Sequence, residues 1–329
     1  MAESNKSPAK NIVFLLVVIA SFFAGSVWSK RATVSQESQV ENSQTQGSGQ
    51  AAGSGETVDF SPEKSPKPNV KFFVMSYCPF GNQAEAGLKP VTDLLGTAVD
   101  WELRYVIQKT NNEQIKSICE AQLYSEEKCK QYVEQGYFQN TDACKQTLPK
   151  SADECLTQES AECMATEDGS YYCSLHGKKE LNQNIREICA WNLAEDKSKW
   201  WSFVSSVNNN CSLEEVDQCW QAQADQTGID RQKVQQCFSN DAVKLLEGEV
   251  ALNEKFSVTS SPTVLINDKP YPPETAWKSS LKIGGKTLKV EEYRSPEGFK
   301  TAICAAFKKE PKECKETLSL QSSATGSCN

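Results

Sequence analysis

The sequence predicts an α/β fold in which a long helical region separates two parts that contain strands. Short apolar runs at 71–75 and 262–266 have the length and composition of buried strands. Between them, from about residue 111 to 255, apolar residues recur at helical spacing in a stretch rich in cysteine. The chain has 329 residues, enough to bury a substantial core. We therefore expect a folded α/β domain with a disulfide-rich helical region.

The first strand leads directly into a cysteine at the start of a helix. The run 71–75 is followed by Ser76-Tyr77-Cys78-Pro79-Phe80-Gly81 and then by a helical pattern, in which Pro90 predicts a kink. Residues 101–107 predict a second strand, since apolar and charged residues alternate at its start. The order is therefore strand, Cys-Pro, helix, strand. The apolar face of the first helix is predicted to consist of Ala84, Leu88, Val91 and Leu95.

The rest of the chain predicts a pair of strands, a capped last helix and several amphipathic helices. A further pair of strands is expected between residues 281 and 290. Ser295 is a good N-cap and Pro296 suits the first helical position, so they predict the start of the last helix. The buried stripe of that helix, before Pro311, is predicted to be Phe299, Ile303 and Phe307. In the helical region, the predicted faces are Ile115, Cys119 and Leu123, and Val243, Leu246 and Val250.

The N-terminal part predicts a membrane-targeting segment and a tether. Residues 12–28 form an apolar run of 17 residues with basic residues on both sides, which fits a signal anchor or a signal peptide. The positive-inside rule favours a transmembrane anchor, with residues 1–11 in the cytoplasm and the rest exported; secretion after cleavage is the alternative. Residues 29–68, rich in Ser, Gln and Gly, predict a disordered tether. The tail at 316–329 is predicted to be flexible.

Composition excludes several classes of function. A net charge of −8 argues against nucleic acid as a partner, and the single histidine, His176, excludes a multi-histidine metal site. None of the 14 cysteines has C-x-x-C spacing, and the nearest pair lies eight residues apart. This pattern favours disulfides over zinc or iron–sulfur sites, and no metal or cofactor is expected. Such cysteine density indicates an oxidising, extracytoplasmic compartment.

Cys78 has a physical reason to be reactive. The N-terminus of a helix carries partial positive charge and free N–H groups, which stabilise a thiolate and lower the pKa of the thiol. Only the thiolate attacks disulfides. The alternative is that Cys78 is a buried or bridged structural cysteine. The position favours chemistry at Cys78.

The strand-Cys-Pro-helix opening, with the later Ser261-Pro262-Thr263 before a strand, resembles the thioredoxin-like superfamily. The resemblance covers about residues 69–315 and makes the helical region an insertion in a thioredoxin-like sheet. It implies that Cys78 is the nucleophile and that Pro262 is a cis-proline facing it. The backbone before this proline is then free to pair with a bound peptide, which assigns Ser261, Pro262 and Thr263 to substrate binding.

Two families resemble parts of the insertion. His176-Gly177-Lys178-Lys179-Glu180, Asn184 and Cys189 are similar to a signature of the gamma-interferon-inducible lysosomal thiol reductase family. Two departures from that signature are Leu181, where it has a cysteine, and Cys173, displaced by one residue. A second set resembles the thioredoxin-like segment of plant vacuolar sorting receptors, which bind peptides: Cys219, Gly228-Ile229-Asp230, Cys237, Pro262-Thr263-Val264-Leu265-Ile266-Asn267, Tyr271 and Ala302-Ile303-Cys304-Ala305-Ala306-Phe307. One resemblance implies a reductase and the other a binding module.

Gly81 is the main departure from dithiol members of the superfamily, which have a second cysteine there. That cysteine resolves the mixed disulfide by attacking the first. With a monothiol Cys-Pro-Phe-Gly motif, release of a substrate from Cys78 needs an outside thiol, a second substrate cysteine or a distant cysteine of this chain. Tyr77, Pro79 and Phe80 beside it are candidate substrate contacts. For Tyr77 and Phe80, simple packing against the helix is the alternative.

The parity of the cysteines separates two of them from the rest. The insertion contains ten, an even number, and Cys304 and Cys314 are close enough in sequence to pair. Cys78 and Cys328 remain, so Cys328 is a candidate resolving thiol, an intermolecular cross-link or an unpaired bystander. His176 is either an accessory group near a thiolate or a structural hydrogen-bonding residue. The candidates for structural disulfides are Cys119, Cys129, Cys144, Cys155, Cys163, Cys173, Cys189, Cys211, Cys219, Cys237, Cys304 and Cys314.

Two functions follow from these patterns. The first is an extracytoplasmic, membrane-anchored thiol-disulfide oxidoreductase or isomerase that acts through Cys78 on peptide or protein disulfides. Its expected partners are cysteine-containing peptides or proteins and a thiol reductant or redox partner protein. The second is a redox-inactive thioredoxin-like module that binds peptides and uses its cysteines only as structural disulfides. The chemistry of Cys78 decides between them.

Overall fold

A computed structural model describes residues 57–320 and 327–328. The predicted anchor at 12–28, the segment before it and residues 29–56 of the predicted tether lie outside the described residues. The rest of that tether, 57–68, is ordered instead: Thr57–Asp59 forms a strand that pairs with Ser280–Ile283, and Phe60 is buried, so the folded part begins earlier than predicted. Within the described part, no helix is both long and apolar enough to cross a membrane.

The described chain contains ten strands and ten α-helices. The strands are β1 (Thr57–Asp59), β2 (Asn69–Val74), β3 (Asp100–Tyr105), β4 (Gln108–Asn111), β5 (Met164–Ala165), β6 (Ser170–Cys173), β7 (Thr263–Ile266), β8 (Lys269–Tyr271), β9 (Ser280–Ile283) and β10 (Lys286–Leu288). The helices are α1 (Pro79–Leu95), α2 (Asn112–Gln122), α3 (Glu126–Glu134), α4 (Thr141–Thr147), α5 (Ala152–Ala161), α6 (Lys178–Leu193), α7 (Lys197–Asn210), α8 (Val216–Thr227), α9 (Arg231–Phe256) and α10 (Pro296–Ala305). Helix α1 continues past Pro90 to Leu95.

A four-stranded mixed sheet forms the centre of the domain, in the order β3-β2-β7-β8. Strand β2 pairs with β3 in parallel and with β7 in antiparallel, and β7 pairs with β8 in antiparallel. Val70 lies opposite Trp101 on one side and Ile266 on the other. Two strands that are about 190 residues apart in sequence are therefore neighbours, and helices α2–α9 are inserted between them.

Both faces of β2 are covered, which explains its continuous apolar run. Val70, Phe72 and Val74 face the large core, which includes the buried face of α1. Phe73 and Met75 point the other way into a smaller cluster that also contains Cys78 and Cys328. A strand buried on both sides is apolar at every position instead of alternating. The smaller cluster lies at the candidate site.

The helical insertion is tied together by disulfides and by its own packing. Helices α6 and α9 pack on each other, as do α7 and α8, and α3 and α4 share a small core around a disulfide. Val243, predicted on a buried face of α9, is 42% exposed, and this prediction is wrong. Ala242, Leu246 and Val250 form the buried face instead, because the helix turns a residue four positions on back to the same side. Leu123 lies just past the end of α2 and is half-buried.

The terminal helix α10 packs closely against α1. Ser295 caps it by accepting a hydrogen bond from Gly298 N, as predicted. A Cβ atom on Gly87 of α1 would lie 2.3 Å from the carbonyl oxygen of Arg294, so only glycine allows this approach. The predicted stripe of α10, Phe299, Ile303 and Phe307, is buried.

Candidate active site at Cys78 and Cys328

Cys78 is the N-cap of α1 and is completely buried. Its Sγ accepts a hydrogen bond from Gly81 N at 3.3 Å. Its own backbone N–H donates to the carbonyl of Met75 at 3.0 Å, which closes the turn between β2 and α1. A sulfur at this position faces the positive end of the helix dipole, an environment that stabilises a thiolate.

The loop before β7 lies directly against this sulfur. The Ser261–Pro262 peptide bond is cis. The carbonyl oxygen of Ser261 is 3.3 Å from Cys78 Sγ, and Ser261 Oγ accepts a hydrogen bond from Met75 N at 3.0 Å. The backbone before Pro262 therefore forms one wall of the site, and the Cys78 turn forms the other.

The end of the chain occupies the space along that wall. Cys328 forms a disulfide with Cys78, with their Cα atoms 6.0 Å apart. Its N–H donates to the carbonyl of Ser261 at 2.7 Å, and Ser261 N–H donates to the carbonyl of Cys328 at 2.8 Å. The two residues thus form an isolated antiparallel bridge. A single cysteine thus pairs through its backbone beside the cis-proline, with the two hydrogen bonds that an added strand would make there.

Gly81 lies where dithiol motifs have their second cysteine, and the structure gives this glycine a steric reason. A Cβ atom there would lie 2.8 Å from Ser261 Oγ and 3.5 Å from Cys78 Cβ. The Ser261 hydroxyl is held in place by its bond with Met75 N. A side chain at residue 81 therefore requires Ser261 to move.

Glu180 holds the turn that precedes Cys78. Its buried carboxylate accepts hydrogen bonds from Tyr77 N at 2.9 Å, His176 N at 3.0 Å and Ser174 Oγ at 2.7 Å. His176 Nδ1 lies 2.7 Å from the same carboxylate. His176 therefore has a structural contact, and Glu180 stands between it and the Cys78 turn.

Asn184, one turn further along α6, holds the neighbouring residue. Its Oδ1 accepts a hydrogen bond from Ser76 N at 2.9 Å, and its Nδ2 donates to Ser174 Oγ at 3.1 Å. Glu180 and Asn184 are four residues apart, so they lie on the same face of α6. The His-Gly-x-x-Glu-x-x-x-Asn pattern is thus a clamp on the backbone of residues 76 and 77. Sequence reasoning noted this pattern but missed this role, although its helical spacing was a usable signal.

A buried acidic pair lies behind the clamp. Glu187 Oε2 accepts a hydrogen bond from Tyr105 Oη at 2.6 Å and lies 3.1 Å from Ser76 Oγ. Burial raises the pKa of Glu187 to about 7. Burial, and then the charge of Glu187, raises the pKa of Glu85 well above its usual value.

The other predicted substrate contacts lie in different surroundings. Phe80 is half-buried beside the cluster of Cys78 and Cys328, and Pro79 is exposed at the first position of α1. Thr263 Oγ1 donates to the carbonyl of Ser260 at 2.7 Å. Tyr77 packs against the large core instead, and its hydroxyl donates to the carbonyl of Cys211 at 3.1 Å. For Tyr77 the geometry favours the packing alternative.

The remaining twelve cysteines are paired among themselves, and no group of acidic, histidine or cysteine side chains in the described part could hold a metal ion. Three disulfides join pairs of insertion helices, a fourth joins the end of α7 to α8, a fifth joins the residues after α5 to β6, and the last joins α10 to the turn after it. They are Cys119–Cys155, Cys129–Cys144, Cys189–Cys237, Cys211–Cys219, Cys163–Cys173 and Cys304–Cys314.

Residues 80–282, well over half of the chain, match the model of the vacuolar sorting receptor thioredoxin-like domain family. The chain belongs to this family. The matched segment includes the cis-proline and the clamp but begins after Cys78 and ends before α10. Membership therefore shows the thioredoxin-like domain, while the two cysteines of the site lie outside the match.

Individual relatives are receptors from plants. Vacuolar-sorting receptor 5 of Arabidopsis thaliana is 24% identical over 169 residues, which cover 44% of this chain and 24% of the receptor. Vacuolar-sorting receptor 1 of Pisum sativum is 21% identical over 182 residues, which cover 51% of this chain and 28% of the receptor. The chain thus spans about a quarter of the length of these relatives.

One solved structure, of 2-hydroxychromene-2-carboxylate isomerase, has a TM-score of 0.34 and 14% identity, covering 62% of this chain and 87% of that chain. At this score the similarity carries no argument about function. The vacuolar sorting receptor family and the pairing of all 14 cysteines together indicate an extracytoplasmic domain.

Proposed function

We propose that this domain carries out thiol-disulfide exchange on extended, cysteine-containing polypeptides, with Cys78 as the reacting sulfur. One observation carries the proposal: a cysteine of this chain already occupies the site. Cys328 pairs through its backbone with Ser261 and through its sulfur with Cys78. A substrate cysteine that pairs with Ser261 in the same way brings its sulfur to Cys78.

The surroundings of Cys78 support the chemistry. When Cys78 is reduced, the Gly81 N–H and the dipole of α1 favour its thiolate over its thiol. The thiolate attacks one sulfur of a substrate disulfide, a bond forms between Cys78 and that sulfur, and the other substrate sulfur leaves as a thiolate. Ser261 and Pro262 orient the peptide, while Phe80 lies at the edge of the site.

The whole protein is proposed to act outside the cytoplasm, attached to a membrane through residues 12–28. Its partners are cysteine-containing peptides or proteins and a thiol that reduces it. The similarity of the insertion to the gamma-interferon-inducible lysosomal thiol reductase family stays a prediction. Residues 29–56 of the tether separate the proposed anchor from the described domain.

A redox-inactive binding module is the second candidate. The relatives are sorting receptors by name, and the two hydrogen bonds between Ser261 and an extended backbone need no chemistry. In this function Cys78–Cys328 is one more structural disulfide. Peptide binding then survives the loss of Cys78.

Reduction of a fluorescent peptide disulfide separates the two. We expect the protein, pretreated with a mild thiol, to accelerate reduction and Cys78→Ser to lose at least about 100-fold of that rate, because Cys328, the thiol that this change leaves at the site, is not at a helix N-terminus that stabilises a thiolate. The control is the pair Cys129→Ala and Cys144→Ala, in the small core of α3 and α4, which should keep the rate. If Cys78→Ser reduces the peptide as fast as the wild type, the enzyme proposal fails.

A further inference from the structure

We propose that Cys328 is the resolving thiol of this site. After Cys78 has formed a mixed disulfide with a peptide, Cys328 attacks Cys78 and releases the peptide. This inference rests on the proposed function, since it needs Cys78 to react with substrates. It gives the monothiol motif the second sulfur that residue 81 does not supply.

The first argument is position. The bridge to Ser261 fixes the Cys328 backbone, and its sulfur reaches Cys78 Sγ from the side of the cis-proline loop. A second cysteine at the usual place would require Ser261 to move, because a Cβ atom on Gly81 would lie 2.8 Å from Ser261 Oγ. The sulfur that meets Cys78 comes from the chain end instead of from α1.

The second argument is delivery. The first residues of the predicted tail, 316–329, are attached to α10 and not flexible as predicted: Leu318 N donates to Glu297 Oε2 at 2.8 Å, and Glu297 N donates to the carbonyl of Ser319 at 3.0 Å. The Cys304–Cys314 disulfide holds the preceding turn to the same helix. Nine residues from Ser319 to Cys328 reach at most ~30 Å, so a released Cys328 stays within that distance of Ser319 and can return to Cys78. Short tethers give effective concentrations of about a millimolar.

The third argument is competition for one backbone edge. Cys328 uses both the N–H and the carbonyl of Ser261. A peptide that pairs with Ser261 must therefore displace Cys328, and Cys328 displaces the peptide when it returns. Attack by Cys328 and release of the peptide therefore occur together. In the oxidised protein the N–H and the carbonyl of Ser261 are both bonded to Cys328 and cannot pair with a peptide.

The step balances as an exchange. The Cys328 thiolate attacks the Cys78 sulfur of the mixed disulfide, the Cys78–Cys328 bond forms, and the bond from Cys78 to the peptide breaks. The peptide leaves as a thiolate and takes a proton from water. Over both steps two protein thiols become one disulfide and the peptide disulfide becomes two thiols. A small external thiol then reduces Cys78–Cys328 for the next cycle.

A single-turnover experiment tests this with the full chain. Dithiothreitol first reduces Cys78–Cys328 and is removed, and mass spectrometry checks that the other six disulfides remain. A ten-residue peptide with one cysteine is then added as its symmetric disulfide, which has no internal thiol for escape. Samples are quenched by alkylation, and the protein mass and released peptide thiol are measured with time for wild type, Cys328→Ser and the tail control Ser327→Ala.

We expect the wild type and Ser327→Ala to re-form Cys78–Cys328 and release two peptide thiols. Cys328→Ser should release one and keep a peptide adduct on Cys78 at least about 100-fold longer, since a millimolar internal thiol has been removed. Peptide mapping of the wild-type product tests the proposal even if Cys328→Ser folds poorly. An adduct equally long-lived in the wild type overturns the inference alone. If neither protein forms an adduct, or Cys78–Cys328 resists reduction until the chain unfolds, the proposed function fails with it.

Discussion

The disulfide of the site and the other six are built differently. The six close short segments, with sequence separations from 8 to 48 residues, and most join one helix of the insertion to a neighbouring element. Cys78–Cys328 spans 250 residues and joins α1 to the end of the chain. Among the described helices, Cys78 is also the only cysteine at an N-cap. Six disulfides thus hold the frame, and the seventh is placed where a thiolate is stabilised.

The largest expected effect concerns how much an insertion disulfide and Cys78–Cys328 each contribute to the free energy of unfolding. Replacing Cys189 and Cys237 by alanine, which separates α6 from α9, should lower the free energy of unfolding by about 2–4 kcal/mol. Cys328→Ser opens a loop of 250 residues, and the loop-closure entropy of the unfolded chain grows with loop length, so we expect a loss at least as large. Urea unfolding followed by circular dichroism measures both. A loss for Cys328→Ser well below that of the Cys189–Cys237 pair would show that Cys78–Cys328 stabilises the fold less than its loop length predicts.

The next largest effect concerns Glu180, which with Asn184 holds the backbone of residues 76 and 77 beside Cys78. Glu180→Gln places an amide N–H₂ against donors that now bind a carboxylate, so we expect a loss of about 1–3 kcal/mol in stability. The same change should slow formation of the mixed disulfide, since the Tyr77 N–H that sets the Cys78 turn loses its fixed acceptor. Glu254→Gln, exposed on α9, is the matched control and should change stability by no more than ~0.5 kcal/mol. A Glu180→Gln variant that loses stability but keeps its reaction rate would show that the clamp supports only the fold.

The sequence could single out Cys78 but not its surroundings. A cysteine between an apolar run and a helical pattern is a local feature, and counting the cysteines set Cys328 apart from a possible ten-cysteine insertion. The connectivity within the insertion depends on how helices pack, which spacing alone does not determine. The error at Val243 has a similar origin, since a shift of one residue on α9 moves a side chain to the exposed face.

The contacts that shape the site could not be predicted from the sequence either, because they also depend on how distant segments pack. Ser261 closes the position beside Gly81 from 180 residues away along the chain, and Asn184 meets Ser76 across 108 residues. Such contacts depend on tertiary packing that brings distant segments of the chain together. The thioredoxin-like resemblance could place Pro262 near Cys78, but the hydroxyl that a side chain at residue 81 would have to displace belongs to this chain's own Ser261.

The smallest expected effect comes from replacing one glycine of the insertion, Gly248, and one glycine of the site, Gly81, by alanine. Gly248 lies exposed within α9, where an added Cβ atom would meet nothing within 4 Å. Gly248→Ala should therefore stabilise the protein by about 0.5–1 kcal/mol through the helical preference of alanine. Gly81→Ala brings the same preference to the first turn of α1 but places a methyl group 2.8 Å from Ser261 Oγ. We expect a net loss there of about 1 kcal/mol, since moving Ser261 breaks its bond to Met75 N.

Thermal unfolding of the two variants beside the wild type measures this difference in sign. Opposite shifts in Tm would show that the Ser261 hydroxyl closes residue 81 to any side chain. Equal upward shifts would mean that Ser261 yields without cost, and a cysteine at residue 81 would then have been sterically allowed. In that case the steric reason for drawing the second sulfur from the end of the chain would be lost, and the role of Cys328 would rest on its position and delivery alone.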